Sequence, residues 1–212
     1  MTISKINAKV GKLSAKRDDF GNMVFPGAKW IGSPNFGYPA GTHGRNTLKP
    51  KAIVVHVAEG TLAGCDGWFN DPAPGGNADA AVSAHFAIGP TGEVHQYVST
   101  EDAAWGNGVL EQGFVLPPGG EIRVNPNLYT ISIEHAGFYD RKFPLETLLA
   151  SVRLIKYLCI VYQIPYSGAY IIRHSQLAPI TRPYCPGPHY PLDLIIELLN
   201  AAGAPLTTPL VG

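Results

Sequence analysis

A single α/β domain, built on a central mixed β-sheet flanked by helices and carrying an ordered N-terminal arm, is the fold class that this sequence predicts. Short β-branched or alternating runs are interleaved with stretches of helical periodicity. Two of those runs stand close enough to form a hairpin, and no linker or internal repeat sets off a second module. At 212 residues, with 45% hydrophobic and only 15% charged residues, the chain fills one core and is short for two.

Residues 1–50 hold Gly27, Gly32, Pro34, Gly37, Pro39, Gly41 and Gly44 around Trp30, Phe36 and Tyr38, with no sustained period of 3.6 or 2. They are expected to lie as an arm across a core built later. The run from Ala52 to Ala58 is β-branched and suits a buried strand; Glu59-Gly60 breaks it, and Thr61 to Phe69 reads as a short helix. A glycine-rich loop, Asp71 to Asn77, follows. Ser83 to Ile88 and Glu93 to Val98 flank Gly89-Pro-Thr-Gly92, the pattern of a hairpin, and Leu128 to Ala136 is a further strand. From Leu145, apolar residues recur at three- and four-residue steps (Leu148, Leu149, Val152, Ile155, Leu158, Cys159, Tyr162), which predicts a long amphipathic helix ending before Pro165. Tyr170 to Arg173 is a short strand, and Leu192 to Leu199 a second helix entered through Pro191. The division expected is therefore an arm over 1–50, a catalytic domain over 51–200 and a tail over 201–212.

Lys plus Arg and Asp plus Glu both number 16, so the net charge of zero offers no footprint for nucleic acid or an anionic membrane. No window reaches the roughly 18–20 apolar residues of a membrane helix, because Lys156, Glu197 and frequent prolines interrupt each candidate. Lys5 and Lys9 break the stretch that a secretory leader would need to be apolar, so synthesis is expected to end in the cytoplasm. Three cysteines, Cys65, Cys159 and Cys185, are too few and too scattered for a disulfide framework. Cys65 and Cys159 sit at core positions of helices. Cys185 lies in a loop between Tyr184 and Pro186, where packing does not account for it.

Seven histidines occur, and taken singly each reads first as a core imidazole hydrogen-bonded to backbone. His56 and His174 both stand where an apolar run ends, a frequent place for sites in sheets covered by helices. Together with Cys185, which follows His174 after ten intervening residues, they match the three-protein-ligand pattern of a catalytic zinc. No two of them form a short chelating motif, so the spacing leaves metal ligation and structural roles open. Glu134 lies in the otherwise apolar strand Ile131-Ser-Ile-Glu-His135, where a carboxylate is costly unless paired or working. Its alternatives are a salt bridge, with Arg173 as partner, and a general base beside a metal.

Five blocks in order carry a resemblance. Ile53-Val-Val-His-Val-Ala-Glu-Gly-Thr61, Val82-Ser-Ala-His-Phe-Ala-Ile-Gly-Pro-Thr-Gly-Glu-Val-His-Gln-Tyr97, Ala103-Ala-Trp-Gly-Asn107, Ile131-Ser-Ile-Glu134, and Arg173-His-Ser175 through Cys185-Pro-Gly187 resemble the zinc-dependent N-acetylmuramoyl-L-alanine amidases of the type 2 fold. That family is shared by phage lysins, bacterial muropeptide amidases and animal peptidoglycan recognition proteins. Trp30 to Arg45 is similar to the arm of phage-type members, so the resemblance spans residues 30–200.

The resemblance implies one zinc per chain held by His56, His174 and Cys185, Glu134 as the catalytic carboxylate, and bacterial peptidoglycan as the partner. It implies hydrolysis of the amide between N-acetylmuramic acid and L-alanine by a bacteriolytic, antimicrobial enzyme, most simply an endolysin acting on the cell wall, with no nucleic-acid or membrane partner and as a monomer. A muropeptide-recycling amidase and a non-catalytic peptidoglycan-binding module are the alternatives, and a cysteine nucleophile at Cys185 is a fourth reading. Three departures stand out. Pro183 occupies the position where many members place a Lys or Arg, which leaves Arg182 or Arg173 to meet an oxyanion; Ala84 replaces a Tyr before His85; Gly106 replaces a His after Trp105. Trp30, Tyr38, Trp68, Trp105, Gly75 and Gly76 are candidates to line the substrate groove, with core packing the competing role of each Trp.

Overall fold

The computed structural model describes residues 16–17, 21 and 23–201. A six-stranded mixed sheet forms its centre, from β3 (Lys29–Trp30), β4 (Ala52–Val57), β5 (Phe86–Ile88), β6 (Val94–Gln96), β7 (Thr130–His135) and β8 (Ile171–Arg173) in the order β3-β6-β5-β7-β4-β8. Only the β5–β6 hairpin is antiparallel; β4 runs parallel to both β7 and β8, β5 to β7, and β3 to β6. Two further short strands, β1 (Lys16–Arg17) and β2 (Met23–Val24), form a separate ribbon.

β4 is buried at all six positions, as expected of a parallel strand covered on both faces. On one face Ile53, Val55, Ile131 and Ile133 pack against α2 (Leu145–Tyr162), whose Leu154, Ile155 and Leu158 lie in the same core, joined by Ile195 and Leu199 of α4 (Leu192–Ala201). On the other, Leu62, Cys65 and Phe69 of α1 (Leu62–Asn70) meet Ala84, Ala87 and Tyr97. Thr61 caps α1 by accepting from the Gly64 amide, and α2 ends at Gln163, which turns into the left-handed region two residues before Pro165. Helices on both faces of a mixed sheet agree with the predicted fold class.

The remaining α-helix, α3 (His174–Leu177), is a single turn directly after β8, too short to leave a periodic signal. The expected strands at 83–88 and 93–98 shrink to three paired residues each; Ser83 and Ala84 instead bring the arm and the Trp105 turn to the sheet, with the Ser83 hydroxyl donating to the Asn35 carbonyl and accepting from the Trp105 amide.

Residues 23–50 are tied down by polar groups. Asn35 Nδ2 donates to the carbonyls of Asp71 and Val82, and the buried Arg45 guanidinium donates to those of Thr100, Asn127 and Thr130 while its Nη2 lies 2.6 Å from His85 Nε2. From residue 202 onward, the expected tail lies outside the described residues. Among the described residues no helix is long and apolar enough to cross a membrane.

Candidate functional site

Three parallel strands deliver the candidate residues at their carboxyl ends, where open α/β sheets form crevices. His56 is the fifth residue of β4, Glu134 stands directly across from it in the β7 register, and His174 is the first residue past β8. The alternation that puts Ile131, Ile133 and His135 toward α2 turns Glu134 to the opposite face, beside His56. Cys185 arrives on the 178–190 loop, pinned by three contacts: its amide donates to the Arg182 carbonyl, its carbonyl accepts from Ser175, and Sγ lies 3.4 Å from the Val57 amide. Gly187 is needed for that approach. Its φ is +100°, and a Cβ there would come within 2.2 Å of the Tyr139 carbonyl oxygen.

The loop brings together side chains far apart in the sequence. Ligand-capable atoms of His56, His174 and Cys185 all lie within 4.8 Å of one another, and the two imidazole centroids are 4.3 Å apart. Burial, with the neighbouring His174, holds the His56 imidazole well below its usual value; burial, with Arg182, lowers His174 to about 4. Both rings are neutral near pH 7, the form that offers a lone pair. Burial and the Glu134 carboxylate raise the Cys185 thiol, so the sulfur becomes a thiolate only with a cation beside it. An activated cysteine nucleophile needs the reverse shift.

Glu134 is 16% exposed, with Oε1 3.8 Å from His56 Nδ1. Its Oε2 is buried with no hydrogen-bond partner among the described residues, an arrangement that costs about 1–3 kcal/mol unless something else reaches the atom. Burial pushes the carboxyl up to about 8, Glu59 adds to the rise and Arg182 opposes it; a cation held by the His–His–Cys set would favour the carboxylate. Two neutral imidazoles, a thiol and an orphaned carboxylate oxygen converging on one hollow fit a zinc ion with an open coordination position.

Arg173 is not the partner of Glu134. Its guanidinium donates to the carbonyls of Gly187 and Tyr190, and it is not among the residues lining the cleft. Arg182 is the one Lys or Arg among the lining residues, on a loop that Glu111 clasps through the amides of Ile180 and Thr181. The cleft, about 630 Å3, continues past Trp105, Gly106, His174 and Arg182 into a second hollow of about 370 Å3. Gly106 has a local reason to lack a side chain, since a Cβ would sit 3.0 Å from the Ser83 carbonyl oxygen.

Of the groove candidates, Trp68, Trp105 and Tyr38 line these hollows, whereas Trp30, Gly75 and Gly76 do not. Core packing is overturned for Trp68, which is 54% exposed on the rim. Tyr139 and Tyr184 stack at 5.2 Å on the rim as well, 39% and 63% exposed. Neither Tyr stood out in the sequence, because loop aromatics carry no periodic signature. Asn107 reads in the sequence as part of a turn, yet it is buried, with Oδ1 2.7 Å from His56 Nε2. His85 and His135 are buried in hydrogen-bond networks, and His43 and His95 pair with Asp102 and Asp66.

A family model described as N-acetylmuramoyl-L-alanine amidase matches residues 46–188. Among curated proteins the chain is 26% identical over 171 residues to N-acetylmuramoyl-L-alanine amidase A of Achromobacter lyticus, covering 72% of this chain and 84% of that one. Among solved structures it is similar to a selenomethionine derivative of AmpD, with a TM-score of 0.66 at 23% identity over 86% of this chain and 98% of that chain. It is also similar to AmiD from E. coli in complex with anhydro-N-acetylmuramic acid-L-Ala-D-γ-Glu-L-Lys, with a TM-score of 0.55 at 18% identity over 74% of this chain and 59% of that chain.

Proposed function

Because the chain belongs to the N-acetylmuramoyl-L-alanine amidase family, we propose that it is a zinc-dependent hydrolase of wall peptidoglycan, an endolysin-type enzyme that separates stem peptides from glycan strands. The observation that carries this reading is the convergence of His56, His174 and Cys185 beside the unpartnered Oε2 of Glu134 in an open cleft.

His56, His174 and Cys185 would hold the ion. Bound there, zinc supplies the Lewis acidity that makes an amide carbonyl more electrophilic and a water more acidic. Glu134 accepts a proton from the attacking water as the C–O bond forms, then delivers it to the departing alanine nitrogen as the C–N bond breaks, which regenerates the carboxylate. Arg182 faces the same cleft and meets negative charge, either on the carbonyl oxygen or on the acidic stem peptide. Trp68, Tyr139 and Tyr184 offer flat apolar faces at the rim, suited to the C–H faces of sugar rings. Two joined hollows leave room for a branched polymer rather than one small molecule.

The test combines metal analysis with mass spectrometry of digested, purified cell wall. Wild type should carry about one zinc per chain and release new alanine amino termini. Glu134→Ala should keep the zinc and lose about 100-fold or more in rate. Zinc retained by a wild type that frees no alanine termini would make the protein a binding module and sink the hydrolase reading. Trp68→Ala should raise KM on insoluble wall by about 10-fold with kcat little changed, since an aromatic contact away from the scissile bond binds ground and transition states alike. Activity confined to soluble anhydro-muropeptides would overturn the polymer assignment.

A further inference from the structure

His56 has two nitrogens, and only one can be the ligand. We infer that Asn107 selects it: this residue, which touches neither the cleft nor the substrate, is the positioning residue that fixes the tautomer of His56. The inference rests on reading His56 as a metal ligand.

A chain of three hydrogen bonds leads from the Pro126 carbonyl to His56. The Thr130 hydroxyl donates to the Pro126 carbonyl at 2.7 Å, so its proton is committed and its oxygen is left as an acceptor. Asn107 Nδ2 donates to that oxygen at 2.9 Å, which settles which end of the amide faces which way. Oδ1 therefore faces His56, 2.7 Å from Nε2, and a carbonyl oxygen can only accept. Nε2 must carry the proton, and Nδ1, on the side of Glu134 and 3.8 Å from its Oε1, is left with the lone pair. Asn107 is held in turn, its own amide donating to Asn127 Oδ1 at 2.6 Å, while Asn127 Nδ2 donates to the Tyr38 hydroxyl at 2.6 Å. The chain is buried from Thr130 through Asn107 to His56, so no solvent competes for these bonds.

The partner chosen is a neutral amide, not a carboxylate. A carboxylate on the outer nitrogen of a ligand imidazole shares its proton and makes the ring a stronger donor. An amide fixes direction without adding charge, so the thiolate of Cys185 remains the one anionic ligand of the set.

The first measurement is a long-range proton–nitrogen correlation spectrum of metal-free wild type labelled with 15N-histidine, the His56 signals assigned by their loss in His56→Gln. The Nε2–H tautomer is expected, with Nδ1 bare; an Nδ1–H ring overturns the inference whatever the protein does with zinc. Zinc affinity, read by competition with a chromophoric chelator, gives the second arm. Asn107→Leu, similar in size but without an acceptor, should bind zinc about 10- to 100-fold more weakly than wild type. Asn107→Asp, which keeps the acceptor, should stay within a few-fold or bind more tightly. Thr130→Val should weaken binding in the same direction by less, because it frees the amide to turn. Equal affinity of wild type and Asn107→Leu overturns the positioning role. A wild type that binds no zinc fails the metal-site reading instead, and the tautomer spectrum tells the two failures apart. Should Asn107→Leu not fold, Thr130→Val and the wild-type spectrum still decide.

Discussion

A buried histidine is a liability in acid, and His85 shows its size without involving the metal. Burial first, and the Arg45 guanidinium second, hold its imidazole well below 6.5. The folded value is depressed, so the stability that the neutral ring contributes is complete above the unfolded value near 6.5 and is lost as pH falls through that value toward the folded one. Replacing the ring with a side chain that does not titrate removes this dependence. The stability difference between wild type and His85→Gln should therefore shrink by about 1.4 kcal/mol per pH unit below 6.5, measured by urea denaturation at a series of pH values. A difference that stays constant from pH 7.5 to 5 would mean that the ring is protonated in the fold, with Arg45 displaced. Arg45 itself, lowered by burial to about 10, stays charged throughout this range and so adds to burial in disfavouring a charged His85.

Strand β4 shows what an element contributes beyond its residues. It lies between β7 and β8, buries every side chain, and carries His56 as the fifth of its six residues, so the packing of the four positions before it sets the height at which the imidazole emerges. Ile53 is fully buried in the α2-facing core, and Ile53→Ala should cost about 3 kcal/mol in urea unfolding with an unchanged m-value. A loss below about 1 kcal/mol would mean that the site collapses around the gap. Elements of this kind were legible in the sequence, because a β-branched run and an eighteen-residue helix write their burial as a pattern. His56 and His174 were legible for the same reason, each standing at the end of such a run, and Cys185 because a cysteine in a proline-flanked loop fits no packing role. Arg182 entered, beside Arg173, only through the family resemblance, and Asn107, Tyr139 and Tyr184 left no signal: their positions depend on how loops from three parts of the chain fold against one another. The single turn of α3 was too short for its period to register.

At the scale of the whole molecule, the proposed metal joins segments that the backbone keeps apart, β4, the start of α3 and the 178–190 loop. Such an ion binds the native chain alone, since the three ligands are scattered in the unfolded one, and so it stabilises the fold by mass action. Free zinc at about 100 times its dissociation constant adds about 2.7 kcal/mol. For a chain of this length that raises Tm by about 5–10 °C relative to chelator-treated protein. Two variants separate the metal from the chemistry. Glu134→Ala removes the base and no ligand, so its zinc-induced shift should match that of wild type. Cys185→Ser removes the one thiolate and should lose most of the shift; what it loses in packing, since Cys185 is also counted in the α2-facing core, lowers Tm with and without zinc alike. Calorimetry with and without chelator reads both. A full zinc shift in Cys185→Ser would place the ion elsewhere, and the loop that carries Cys185 would then owe its course to its backbone contacts, the Glu111 clasp and the close approach at Gly187.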